Sequence, residues 1–271
     1  MKKLIILATF LCAKNIFAND TTAFSCKYRF IKQKDSTNTS SKFDDIMILS
    51  LGKSNSIYYS YLRHFGKKRM IDDLNGNSNT SLDVNSGDVN KYYPQNESEI
   101  IGINYKQKKI NVSDELIATC YEYSDTLIAP IWKIENETQL ILKQKCQKAY
   151  CNFKGRNYTA WFANSIPIAM GPWLFNGLPG LILKVEDDKK QFYFECIELN
   201  TTSQSTSVFK PYTNTKIISK EKLKLKRKLL AQDITEFIKS ETGGTFTRVS
   251  GGNGAVIKRE KKPYNPIELT Q

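Results

Sequence analysis

The chain has 271 residues, with 40 Lys and Arg against 27 Asp and Glu, a formal net charge of +13, and a single histidine, His64. One histidine excludes a zinc hydrolase with several imidazole ligands, and it forces any Ser-His or Cys-His scheme through one residue with no G-x-S-x-G elbow to support it. Phosphate-binding loops, dinucleotide fingerprints and zinc-finger spacings are absent, so no cofactor, no metal and no nucleic-acid partner are expected.

At the N-terminus, Lys2 and Lys3 lead into an apolar run from Leu4 to Ala13, and Ile16-Phe17-Ala18 precede the polar Asn19-Asp20. A basic start, a short apolar stretch and a small residue predict a signal peptide over 1–18, cleaved after Ala18. The expected destination is the periplasm or the periphery of the outer membrane. The run breaks at Lys14, short of the roughly 20 residues that a spanning helix needs, and no other long apolar segment follows, so no transmembrane segment is expected in the mature chain. Bulky Leu11 directly before Cys12 argues against lipid attachment there. Lys2, Lys3 and Lys14 leave with the leader, and the remaining basic excess favours anionic partners, although Lys, Asn, Ile and Tyr are abundant everywhere and make much of the charge compositional.

From residue 19 onward, short segments rich in β-branched and aromatic residues alternate with Gly, Asn, Ser and Asp clusters, the pattern of an antiparallel sheet. The predicted strands are Phe24–Lys32, Phe43–Leu51, Ser56–Tyr61, Glu99–Tyr105, Lys108–Val112, Leu116–Tyr123, Ile131–Ile134, Leu140–Phe153, Tyr158–Ala163, Leu178–Val185 and Gln191–Leu199. Eleven is more than such a chain is expected to keep. Gln33–Lys42 and Asn75–Glu97 have too little apolar content to bury and read as mobile surface loops without chemistry. Ser219 predicts the cap of one helix over 219–241, stopped by Gly243-Gly244. Leu223, Leu230, Ile234, Phe237 and Ile238 form its apolar stripe, and Lys220, Lys222, Lys224, Lys226, Arg227 and Lys228 its basic face. Such a stripe packs on its own sheet more readily than on an anionic membrane. Residues 243–271 read as a flexible, Gly-rich tail, and 19–242 as one domain. The expected fold is mainly β: an antiparallel, strongly curved sheet or open barrel with a C-terminal α-helix.

The stretch from Cys146 to Leu183 holds Cys146-Gln147-Lys148-Ala149, Gly155-Arg156, Ala160-Trp161-Phe162, Ile166-Pro167, Gly171-Pro172-Trp173 and Gly177-Leu178-Pro179-Gly180-Leu181-Ile182. It resembles the GLPGLI family of exported Gram-negative envelope proteins, as does the ending Asn265-Pro266-Ile267-Glu268-Leu269; Cys151 and the Asn-rich stretch at 75–97 depart from the pattern. The resemblance implies export and a shared domain, and it carries no activity. Physically, Pro179 cannot donate to a sheet ladder and belongs at a strand start, edge or bulge, while Gly177 and Gly180 suit left-handed backbone or close approach. The motif therefore predicts a stiff turn feeding a buried strand from Leu181 to Val185. Gly155-Arg156-Asn157 predicts a tight turn whose guanidinium can take a carboxylate or phosphate bidentately or remain solvated. Trp161 and Trp173 are candidates for a hydrophobic or sugar-binding face or for the core, and Asn176 joins Arg156, Trp161 and Trp173 as a candidate binding residue.

Five cysteines follow the leader: Cys26, Cys120, Cys146, Cys151 and Cys196. Export permits disulfides, with at least one thiol left over. On one continuous strand, Cys146 and Cys151 would lie about 16 Å apart on opposite faces at ~3.3 Å per residue, beyond the ~7 Å a bridge tolerates, so these two are not expected to pair. Asp44-Asp45, Asp72-Asp73 and Asp187-Asp188 are adjacent residues that point apart on a strand and make poor acid/base dyads. The leading functional reading is non-enzymatic binding of a hydrophobic or peptide-like envelope component such as a lipid or peptide. The alternatives are an accessory partner of an outer-membrane transport system and a secreted hydrolase using carboxylates. A deep apolar cavity favours the first, a flat aromatic patch around Trp161 and Trp173 the second, and facing carboxylates the third.

Overall fold

The computed structural model describes residues 24–66, 97–117, 119–200, 214–243 and 263–269; the leader, Cys12, nearly all of 75–97 and most of the Gly-rich tail lie outside them. The first half forms β1 (Phe24–Gln33), β2 (Lys42–Leu51), β3 (Asn55–Ser60), β4 (Ile100–Asn104), β5 (Lys109–Leu116) and β6 (Thr119–Thr126). The second half forms β7 (Lys133–Ile141), β8 (Gln144–Phe153), β9 (Arg156–Ala163), β10 (Leu181–Asp187), β11 (Phe192–Asn200) and β12 (Thr215–Ile217). Two helices follow, α1 (Lys220–Gln232) and α2 (Ile234–Thr242).

All twelve strands join one open sheet in the order β12-β6-β5-β4-β3-β2-β1-β11-β10-β9-β8-β7. Two antiparallel meanders, β1 to β6 and β7 to β11, are fused where β11 returns to pair with β1. Only β12 runs parallel to its neighbour, β6. The mainly β expectation with C-terminal helices holds, and every predicted strand overlaps a real one, so the expectation that eleven were too many is corrected. The predicted Leu140–Phe153 strand is instead the end of β7, a two-residue turn and β8. Leu142 and Lys143 both take left-handed φ, 48° and 62°, which is how a tight hairpin matches strand twist. The next turn is Lys154-Gly155, so Arg156 already opens β9 and does not sit in the turn.

The predicted single helix is two. Asp233 leaves helical geometry at φ −151°; its side chain accepts from the Glu236 N–H while its own N–H closes α1 on the Leu229 carbonyl. Asp caps a helix better than it continues one. Ser219 caps α1 as expected, and Gly243 ends α2 with φ 66°. Leu223 and Phe237 are fully buried, and ion pairs from Lys220 to Asp125 and from Arg227 to Asp114 hold α1 over β5 and β6.

The core is the aromatic face of this sheet, and the irregular segment between β9 and β10 is pressed into it. Phe175, wholly buried, has ring contacts with Trp132, Phe153, Tyr158, Trp173 and Phe194, with centroids 4.7 to 6.2 Å apart. Geometries in this range favour edge-to-face contact. Gly180 lies against the backbone: a Cβ there would be 2.1 Å from the Ala163 carbonyl oxygen. Gly177 has φ 89°. Leu181, Ile182, Leu183 and Val185 of β10 are fully buried, so the stiff turn and buried strand form as expected. Cys26, Cys146, Cys151 and Cys196 are free thiols, and burial pushes Cys146 up to about 11 and Cys151 up to about 12.

Candidate ligand-binding site

Residues 263–269 run back across the open side of the sheet and are pinned there, although the sequence reads as a flexible tail. The pin is Arg156, 4% exposed. Its Nη1 donates to Asp187 (3.2 Å) and Gln191 (2.9 Å), its Nη2 to the Asn265 side chain and the Pro266 carbonyl (2.7 Å each), and its Nε to the Ile267 carbonyl (3.2 Å). The guanidinium also lies 4.5 Å from the Phe192 ring centroid. Every donor nitrogen is thus taken by the protein's own acceptors. Asn265 adds a bond from its Nδ2 to the Gln33 carbonyl (2.8 Å), and the Leu269 N–H reaches the Lys154 carbonyl (2.9 Å).

Between the sheet, α1 and this strap lie two adjoining cavities of about 340 and 350 Å³. The first has an apolar floor of Phe30, Met47, Trp173, Phe192 and Phe194 and a lid from Leu230 and Tyr264. Its polar end is built from Tyr58, Glu97, Glu99, Asp114, Lys32 and Arg227. The second shares Glu99, Trp173, Arg227 and Tyr264 and adds Ile101, Val112, Tyr123, Leu174, Lys224 and Lys228. Trp173 stands between the two with φ 53°, a left-handed conformation that is costly for a bulky side chain and is held only where its surroundings impose it.

At the polar end, Arg227 bridges two carboxylates: its Nε donates to Asp114 at 2.5 Å, and its Nη2 pairs with Glu99. Glu97 pairs with Lys32, and Ser98 donates to Asp114. Burial pushes the Glu99 carboxyl above the usual carboxylate range, against the pull of Arg227, and Asp114, Glu97 and Glu268 push the same way. Tyr58 is 4% exposed, and its hydroxyl has no hydrogen-bond partner among the described residues. Burial first, then the charges of Asp45, Glu97 and Glu99, hold that hydroxyl far above the usual tyrosine range, so it keeps its proton. An unpaired buried hydroxyl costs about 1–3 kcal/mol.

Of the four candidate binding residues named from the sequence, Trp173 lines this site. Trp161 is buried on the other face of the sheet, with Lys148 Nζ 5.5 Å from its ring. Asn176 is also buried; its Nδ2 donates to the Leu174 carbonyl at 2.9 Å, and its own carbonyl accepts from Trp132. It lines a separate cavity of about 510 Å³ with Phe24, Leu51 and Met170. The acidic cluster was missed by the sequence reading, which left Glu97 in a loop. Its signal was there: Glu97 and Glu99 are two residues apart at a strand entry, a spacing that puts both side chains on one face. The arrangement can grip a partly apolar molecule that offers hydrogen-bonding groups at one end. Among the described residues, no cluster of His, Cys, Asp and Glu has the geometry of a metal site.

Residues 152–184 match the family model "Protein of unknown function (Porph_ging)", a range that overlaps the 146–183 stretch singled out in the sequence. No curated protein matches the chain. Two solved structures are similar to it, "Structure of PNGF-II in P21 space group" and "Structure of PNGF-II in C2 space group", at 14% and 15% identity and a TM-score of 0.48 each. They cover 75% and 76% of this chain, which spans 32% of the length of each.

Proposed function

We propose that the protein is an exported envelope protein that binds, without chemistry, a hydrophobic or peptide-like component in the paired cavities under α1. The observation that carries this reading is the unpartnered Tyr58 hydroxyl at the wall of an aromatic-floored cavity, because binding sites combine apolar lining with a few oriented polar groups. Two carboxylates do come together, as a hydrolase reading requires. Glu99 and Asp114, however, converge on one guanidinium as its counter-ions, an arrangement that favours holding over proton transfer.

The test is native mass spectrometry of the protein isolated from an envelope fraction, beside a Leu230→Trp variant that fills the first cavity. A bound small molecule on the wild type that is missing from the variant is the expected result. Finding the intact, uncleaved chain in the cytosol, or adducts that ignore the filled cavity, would sink the reading.

A further inference from the structure

The charge inside the first cavity is opposite to that of the chain. The sequence carries +13 overall, yet the polar end of this cavity sets three carboxylates, Glu97, Glu99 and Asp114, against two cations, Lys32 and Arg227. Both cations are already engaged, Lys32 with Glu97 and Arg227 with Glu99 and Asp114. One negative charge is therefore left over in a partly dry place, where unbalanced charge is expensive. The Tyr58 hydroxyl points to the same vacancy of chemistry: it sits within the field of Glu97 and Glu99 and bonds to neither. Its oxygen lone pairs can accept from an N–H, and the adjacent carboxylates can accept further N–H donors from one cation. The second cavity sets Lys224, Arg227 and Lys228 against Glu99 and Glu268, so its charge balance is positive and the preference for positive charge is confined to the Tyr58 end.

We propose that this end of the cavity receives a cationic nitrogen, an ammonium or guanidinium carried on an apolar chain, held between the Tyr58 hydroxyl and the Glu97 and Glu99 carboxylates while the chain lies on Phe30, Met47, Phe194 and Trp173. The inference rests on the binding reading above and sharpens it to a class of ligand. A free peptide N-terminus and an aminoalkyl lipid headgroup share this chemistry. A fatty acid does not.

The experiment is calorimetric titration of the full chain with octylammonium and with octanoate, which match in chain length and differ in charge. Octylammonium should bind at least tenfold more tightly. Glu99→Gln should erase most of that preference, and Tyr58→Phe should reduce it severalfold, with melting curves confirming that each variant folds; Glu97→Gln serves if Glu99→Gln does not. Trileucine with a free or acetylated amino terminus, and dihexanoyl phosphatidylethanolamine against dihexanoyl phosphatidylglycerol, then separate the two sources, and an advantage for the free amine in either pair supports the assignment. Equal binding of octylammonium and octanoate, both abolished by Leu230→Trp, would overturn the cation while leaving the cavity a binding site. Binding of neither probe would overturn both readings.

Discussion

Arg156 and Arg227 both engage carboxylates near the open side of the sheet, and their surroundings differ in one respect. Arg156 has every nitrogen taken, by Asp187, Gln191, Asn265 and two strap carbonyls. Arg227 is shared between Glu99 and Asp114 at the edge of a cavity that Tyr58 also lines, with a hydroxyl that bonds to nothing described. Each is an arginine set among carboxylates, Arg156 buried and Arg227 half-buried. The difference teaches how structural and receptive charge are told apart: a finished network rigidifies, whereas one with an unsatisfied neighbour still has bonding capacity to offer.

The sharpest way to break this contrast is at Arg156. Arg156→Met leaves Asp187 buried without its counter-ion and frees the strap at 265–267, and removing one partner of such a pair costs about 3–5 kcal/mol. Urea unfolding should register that loss, and limited proteolysis should cut the C-terminal strap first. If stability moved by less than about 1 kcal/mol, the network would be no clamp, and its difference from the Arg227 site would disappear.

A smaller effect belongs to the motif on the clamped side. Gly180→Ala places a methyl group 2.1 Å from a backbone oxygen, that of Ala163, and backbone yields less readily than a side-chain tip. Overpacking of this kind costs about 1–3 kcal/mol, read as a lower melting temperature. On the receptive side the sign reverses: Tyr58→Phe removes a hydroxyl that has no partner, so the unliganded protein should be unchanged or stabilised by up to about 1 kcal/mol. A clear loss of stability in Tyr58→Phe would show that the hydroxyl is bonded after all.

How much of this contrast was legible in the sequence follows from where its parts come from. The strands were readable because apolar residues alternate along them, as in Cys26, Tyr28 and Phe30. The β7-β8 turn was not, because Leu142-Lys143 lacks the Asn or Gly that usually marks left-handed turn positions, and tertiary pairing alone holds it. Arg156 looked like a turn residue since Gly155 precedes it, and its acceptors lie 31 to 111 positions further along the chain. The cavity was harder still. Glu99 precedes β4 and Asp114 lies near the end of β5, side by side at the open end of that hairpin, and Arg227 comes from the basic face of α1, so only strand pairing and helix docking bring the three together. The motif at 177–182 was the clearest signal, and what it marks is the rigid plug beside the site, not the polar end of the site itself.

The smallest expected effect is one of sign, and it compares two carboxylates on the wall of the second cavity. Glu99 is raised by burial, against Arg227. Glu268 is lowered: burial works to raise it, and Lys224 and Lys220 outweigh that. For Glu99 the folded state keeps its proton to a higher pH than the unfolded chain does, so stability falls as pH climbs from the ordinary carboxylate value to the raised one. For Glu268 the folded state gives up its proton earlier, so its contribution is complete above the ordinary value and is lost as pH drops toward the lowered one. Urea midpoints followed through acid and neutral pH should therefore lose their declining limb in Glu99→Gln and their acid-side rise in Glu268→Gln. Two variants shifting the profile in the same direction would mean that the lysines of α1 do not favour one carboxylate over the other, and that the two sides of Arg227 are electrostatically alike.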